Sequence, residues 1–159
     1  MRIGIGFDIH RFEKGRKFIL GGIEIPFEKG LAGHSDGDVL IHSLSDAILG
    51  ALGKPDIGYY FPDTDEKIKG IDSTQILKKV LSIMKKERCK IENIDIVIIC
   101  EKPKLSPYIP SIKKRISEIT GIEEGKIGIK AKTYEKIGEI GRGNACACLS
   151  SVLLVSSSE

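Results

Sequence analysis

Apolar positions along the chain follow two periods, every second residue and every third to fourth, and the change from one to the other outlines the secondary structure. Met1 to Asp8 has the pattern of a strand, and Lys17 to Leu20 with Ile23 to Pro26 reads as a hairpin around Gly21-Gly22. Val39, Leu40, Leu44, Ala47, Ile48 and Leu52 recur at helical spacing. They predict a helix over Asp36 to Leu52, ended by Gly53-Lys54-Pro55. Asp56 to Asp72, rich in glycine, proline and aspartate, reads as loop. A second helix is expected over Ser73 to Glu87, capped by Asp72 or Ser73, with Ile76, Leu77, Val80, Leu81 and Met84 as its apolar stripe. The near-continuous apolar, β-branched run Ile94 to Cys100 predicts a buried central strand. A third helix is expected after Pro107, with Ile109, Ile112, Ile116 and Ile119 inward and Gly121 ending it. Lys126 to Thr133 alternates like a half-buried strand, and Ala145 to Ser156 makes a last long one.

This order predicts an α/β (α+β) sandwich, a mixed β-sheet with helices on one face, in a single domain over residues 1–159. That length is enough for one full core. Charge adds little: 25 Lys and Arg against 22 Asp and Glu leave +3, too small a surplus to argue for nucleic acid. The basic pairs Lys78-Lys79 and Lys85-Lys86 fall on polar helix faces. No apolar run approaches the ~20 residues that span a bilayer. The chain opens directly into a strand pattern with no signal-type apolar region, so a cytoplasmic location is expected. Cys89, Cys100, Cys146 and Cys148 contain no C-x-x-C pair and read as small core residues.

The candidate chemistry is concentrated near the N-terminus, where all three histidines lie: His10, His34 and His42. In Asp8-Ile9-His10 two possible ligands stand two apart on a strand and so point to one side. His42 sits on the first predicted helix, with Asp38 and Asp46 one turn away to orient its ring. Asp8, His10 and His42 together make an N/N/O set with an open fourth position, the pattern of a catalytic zinc site. Taken alone, D-x-H is a weak motif that reads more readily as a surface dipeptide. The stretch from His34 to Asp38 precedes the helix. Ser35 or Asp36 can cap it, and its N–H groups suit a phosphate. The acceptor-rich loop Asp56-Ile57-Gly58 with Phe61 to Asp65 suits a polyol or is a plain polar turn. Thr133, Glu135 and Arg142 offer a hydroxyl, a hard-cation ligand and a bidentate phosphate donor, or else an ordinary solvated surface.

Taken together, Gly6-Phe7-Asp8-Ile9-His10, Gly21-Gly22, GHSDGDVLIH over 33–42, Asp56-Ile57-Gly58, FPDTD over 61–65, Pro103-Lys104 and Glu135-Lys136 with Gly141-Arg142-Gly143 resemble the 2-C-methyl-D-erythritol 2,4-cyclodiphosphate synthase family. The match runs from Arg2 to about Val155 in order. The resemblance implies zinc on Asp8, His10 and His42, with magnesium or manganese on Glu135. It implies phosphate contacts and positioning by His34 and Ser35, and substrate binding by Asp56, Gly58, Phe61, Asp63 and Asp65. The segment Cys100, Pro103, Lys104, Leu105 and Ser106 corresponds to the family's cytosine-recognising loop. Lys132 and Thr133 fall in its phosphate and second-metal segment, Thr133 as the residue assisting the transition state, and Arg142 among its substrate-binding positions. The implied reaction closes 4-diphosphocytidyl-2-C-methylerythritol 2-phosphate on itself and releases CMP. A homotrimer with sites shared between subunits is implied as well.

Three places depart from the pattern. Lys132 stands where threonine is frequent, Asn144-Ala145 where Glu-Gly often follows Gly-Arg-Gly, and Glu139 where an aromatic residue is frequent. The latter region lines a central trimer cavity that holds isoprenoid diphosphates in some members, and an acidic Glu139 is expected to oppose them. Two other classes compete with the cyclase. A metal-dependent phosphohydrolase needs only the Asp/His set and an activated water. A non-catalytic binding protein of the same fold has no need of the full set.

Overall fold

The computed structural model describes residues 1–62, 64 and 69–157. A five-stranded sheet runs in the order β4-β1-β7-β5-β6, where β1 is Arg2–Lys14, β4 Lys29–Leu31, β5 Cys89–Cys100, β6 Ile127–Lys132 and β7 Ala145–Ser156. Only β5 and β6 pair in parallel, so the sheet is mixed as the sequence predicts. The hairpin at Gly21-Gly22 forms as a separate two-stranded ribbon, β2 (Phe18–Leu20) with β3 (Ile23–Ile25).

Helices α1 (Val39–Ala51), α3 (Ser73–Lys86) and α4 (Ile109–Thr120) cover one face of the sheet. Between them lies the main apolar core, which includes Leu40, Leu44 and Ile48 of α1 and Ile94, Ile96 and Ile98 of β5. Two single-turn helices, α2 (Ile57–Tyr60) and α5 (Gly138–Gly141), occupy stretches that the apolar pattern leaves as loop. Four residues are too few to express a helical period.

Several boundaries shift for identifiable reasons. α1 starts at Val39, because the Asp38 side chain accepts from Ile41 N at 3.0 Å and caps it. Asp72 caps α3 in the same way, through Thr74 N at 2.8 Å. α4 ends at Gly121, whose φ of 77° is the left-handed conformation that terminates helices. β1 does not stop at Asp8. It pairs with β7 as far as Arg11 and then with β4 to Lys14, so Asp8 and His10 stand in mid-strand. β5 likewise begins at Cys89 rather than Ile94, with a register shift between Ile91 and Asn93.

β1 decides how closely α1 can approach. Its even positions face the helix: Gly4 and Gly6 are buried, and Asp8 and His10 follow them on the same side. A Cβ on Gly6 would stand 1.9 Å from Ser43 O, and one on Gly4 1.8 Å from Ala47 O. The absence of side chains there lets helix backbone rest on strand backbone. The odd positions Ile3, Ile5, Phe7 and Ile9 face the other way, are 45–72% exposed, and form an apolar row that no helix among the described residues covers.

Candidate active site

β1 and α1 together build the site. The strand aims Asp8 and His10 at α1, and the first turn of α1 brings His42 to them. Asp8 Oδ2 lies 2.8 Å from His10 Nε2 and 3.0 Å from His42 Nδ1, and the two ring nitrogens are 3.2 Å apart. Among the described residues these three form the one cluster arranged to hold a metal ion. The fit can be checked against geometry. Bonds of about 2.0–2.1 Å at tetrahedral angles place ligand atoms roughly 3.3 Å apart. The observed triangle is close to that, and a metal would relieve the facing of two ring nitrogens across a shared carboxylate oxygen.

Electrostatics agree with a shared cation site. Burial pushes the Asp8 carboxyl up, but the hydrogen bonds and charges of His10 and His42 outweigh it and hold the group well below the usual carboxylate range. Burial pulls the His42 imidazole down. The Asp8 hydrogen bond and charge, with Asp38 and Asp36 farther off, more than reverse this, so its pKa is raised.

The ring of His42 is not oriented by Asp38 or Asp46, as helical spacing suggests. Asp38 is fully buried and spent on backbone, accepting from Gly21 N at 2.9 Å, Gly22 N at 2.7 Å and Ile41 N. Asp46 accepts from Ile57 N at 2.8 Å and so ties α1 to the loop beyond it. The outer ring nitrogen, Nε2, instead meets Ser35 Oγ and Ser73 Oγ, each at 3.0 Å. Sequence reasoning took Ser73 for a helix cap and missed this. It lies 31 residues from His42, and no periodicity links them. The amides of Gly37, Asp38 and Ile41, offered by the sequence to a phosphate, are occupied by Ser35 Oγ, Asp36 and Asp38.

A cleft of about 270 Å³ opens beside the triad, lined by His34, Ser35, Asp46, Asp56, Gly58 and Phe61 among others. Asp56 caps α2, its side chain accepting from Tyr59 N. Asp63 and Asp65 lie outside the described residues. Within one chain, Cys100, Pro103, Lys104, Leu105, Ser106, Lys132, Thr133, Glu135 and Arg142 do not line this cleft. The sheet order explains why, since β7 and β5 separate β6 from β1.

Most of those residues gather at a second place, the neighbouring C-terminal ends of the parallel strands β5 and β6. Tyr134 N donates to Glu101 across the gap, and Thr133 Oγ1 donates to Glu135 Oε1 at 3.0 Å. Glu135 and Lys136 both have left-handed φ, 51° and 61°, a strain of roughly 1–2 kcal/mol each that clusters at functional sites. Cys100 and Leu105 are buried, so only their main chain can face a ligand, while Lys104 is exposed. Arg142 follows Gly141, which packs on the Lys136 backbone, and its side chain pairs with Glu139, which also accepts from Asn144 at 2.9 Å.

Comparison with known proteins agrees with this architecture. The model of the YgbB family matches residues 1–155. The chain is 52% identical over 159 residues to the 2-C-methyl-D-erythritol 2,4-cyclodiphosphate synthase of Halothermothrix orenii, covering 100% of this chain and 96% of that one. The bifunctional IspDF of Campylobacter jejuni, 42% identical, superposes with a TM-score of 0.94 over 98% of this chain, which spans 42% of that longer one. IspF of Plasmodium falciparum, solved as a CDP complex, is 38% identical with a TM-score of 0.86, over 99% of this chain and 97% of that one.

Proposed function

Because the chain belongs to the YgbB family, we propose that it catalyses the reaction its relatives are named for. 4-Diphosphocytidyl-2-C-methyl-D-erythritol 2-phosphate is converted to 2-C-methyl-D-erythritol 2,4-cyclodiphosphate and CMP, in a cytoplasmic step of isoprenoid biosynthesis. The enzyme is a phosphorus–oxygen lyase: the 2-phosphate attacks the β-phosphorus and the bond to CMP breaks. The observation that carries this reading is the Asp8–His10–His42 triangle opening onto the cleft of His34, Ser35, Asp56 and Gly58.

Zinc would be held by Asp8, His10 and His42, and magnesium or manganese by Glu135 with the substrate's phosphates. Such cations would supply charge stabilisation where two anionic phosphates meet. The chain's own groups supply the rest. The attacking phosphate is largely ionised near neutral pH, its second pKa being about 6, so no strong base is required. Ser35 Oγ receives Gly37 N–H and faces His42 Nε2, which favours keeping its own proton for donation into the cleft. His34 is exposed at the rim beside it. Asp56, Gly58 and Phe61, with Asp63 and Asp65, would hold the methylerythritol, and bending the substrate brings its two ends together.

The cytidine end would lie on Cys100, Pro103, Lys104, Leu105 and Ser106, with Lys132 and Thr133 on phosphate. CDP in the Plasmodium falciparum relative is consistent with a nucleotide ligand. Since these residues lie away from the cleft of their own chain, a complete site would join two subunits of a homotrimer. The uncovered apolar row of Ile3, Ile5, Phe7 and Ile9, with Leu149 of β7 across from Phe7, supports an assembly through that sheet face.

Phosphorus NMR of the zinc-loaded protein with magnesium and the diphosphocytidyl substrate tests the reading. A cyclic diphosphate appearing with CMP is expected. Linear phosphates would make the protein a hydrolase, and unchanged substrate with folded, zinc-bearing protein would make it a binding protein.

A further inference from the structure

Ser73 opens α3, has no exposed surface, and sits between two charged parts of the site. Its Oγ lies 2.5 Å from Asp36 Oδ1 and 3.0 Å from His42 Nε2. Asp36 also accepts from Ser73 N at 3.1 Å, through Oδ2, so the carboxylate grips both polar groups of this residue. A serine hydroxyl has one proton to give. The carboxylate can only accept, and its oxygen is much nearer than the competing Ser35 Oγ at 3.3 Å. The proton therefore goes to Asp36, and Ser73 Oγ is left to accept from His42.

We propose that Asp36 and Ser73 act as a positioning pair that fixes His42 with its proton on Nε2, leaving the Nδ1 lone pair aimed at the metal shared with Asp8 and His10. This rests on the metal-site reading above and extends it to two residues outside the ligand set. The consequence is chemical as well as steric. Without an oriented acceptor the ring can turn, or place its proton on Nδ1, where it blocks the ligand. Ser35 Oγ, also 3.0 Å from Nε2, gives partial cover but has no carboxylate to fix its own direction. Loss of such an outer partner typically weakens metal binding 10–100-fold.

The test is zinc affinity of the full-length protein, measured by competition with a chromogenic chelator. The wild type is compared with Ser73→Ala, Ser73→Thr and His42→Ala, with ring-nitrogen NMR of the zinc-loaded forms. His42→Ala should lose the site. Ser73→Ala should bind zinc about 10-fold more weakly while still unfolding cooperatively before zinc is added. Ser73→Thr, which keeps the hydroxyl, should restore affinity, and the wild-type spectrum should assign the proton to Nε2 of His42. Wild-type affinity in Ser73→Ala, alongside loss in His42→Ala, would overturn the positioning role alone. So would a spectrum with the proton on Nδ1. Wild-type affinity in His42→Ala would overturn the metal-site reading itself.

Discussion

Gly6 links the fold to the chemistry, and replacing it with alanine is the most direct test of that link. The new Cβ would stand 1.9 Å from Ser43 O and 2.6 Å from Ala47 N. Contacts of this kind below 3.0 Å are essentially never seen, so helix and strand must part by at least 3.0 − 1.9 = 1.1 Å. Both opposing atoms are backbone, and neither can rotate away. Overpacking of this type costs about 1–3 kcal/mol and occasionally more; with backbone on both sides the upper end is expected, so about 3 kcal/mol. That is a large part of the roughly 5–15 kcal/mol that holds a domain of this kind together. The same displacement reaches the site, because Ser43 is the neighbour of His42. Opened by 1.1 Å, the 3.0 Å separation of His42 Nδ1 and Asp8 Oδ2 becomes too wide for a hydrogen bond or a shared ion. Urea unfolding and zinc content of purified Gly6→Ala measure both effects. Gly125→Ala is the control, since no atom lies within 4 Å of its added Cβ. A Gly6→Ala protein that unfolds like the wild type and retains its zinc would refute the idea that backbone contact sets the position of His42.

Three other outcomes are expected. Asp46→Ala removes the acceptor of Ile57 N at the edge of the cleft; a net loss of about 1 kcal/mol should raise KM roughly 5-fold and leave zinc affinity unchanged, as steady-state kinetics with metal analysis will reveal. In the metal-free protein the Asp8 carboxyl is held below its usual 3.8 and the His42 imidazole above its usual 6.5. The Asp8 contribution to stability is present above pH 3.8 and lost as pH falls through the lowered value, and the His42 contribution is present below pH 6.5 and lost as pH rises through the raised value. Metal-free thermal stability should therefore peak between those pH values, while zinc loading, which needs His42 unprotonated, should increase with pH above 6.5; a zinc affinity flat across that range would contradict the ligand assignment. Glu139→Phe frees Arg142 from its ion pair and should tighten binding of isoprenoid diphosphates, because it removes one like charge; calorimetry with no gain over the wild type would refute the opposition.

The chain's own patterns establish most of its local structure and nominate Asp8, His10 and His42 as candidate ligands, which the family resemblance rather than the spacing singles out. Period two along β1 places Asp8 and His10 on one side whatever the rest of the molecule does, and the helical period of Leu40, Leu44 and Ile48 commits α1 to burying that face. The mixed sheet with helices on one side follows from the order of such segments. Short elements escape this reading, since β4, α2 and α5 are each under five residues and express no period. Partners distant in sequence escape it too. Spacing suggested Asp38 and Asp46 as supports for His42, because neighbours one turn apart on a helix are the contacts a sequence makes visible. Only the packing of α3 against the 33–37 loop brings in Ser73, and only the backbone contact at Gly4 and Gly6 sets the distance from His42 to Asp8. Which residues can ligate is a property of side-chain type and local period. Whether their atoms converge to within about 3 Å, and what holds them there, depends on how closely two backbones approach, and that is a property of the folded molecule alone.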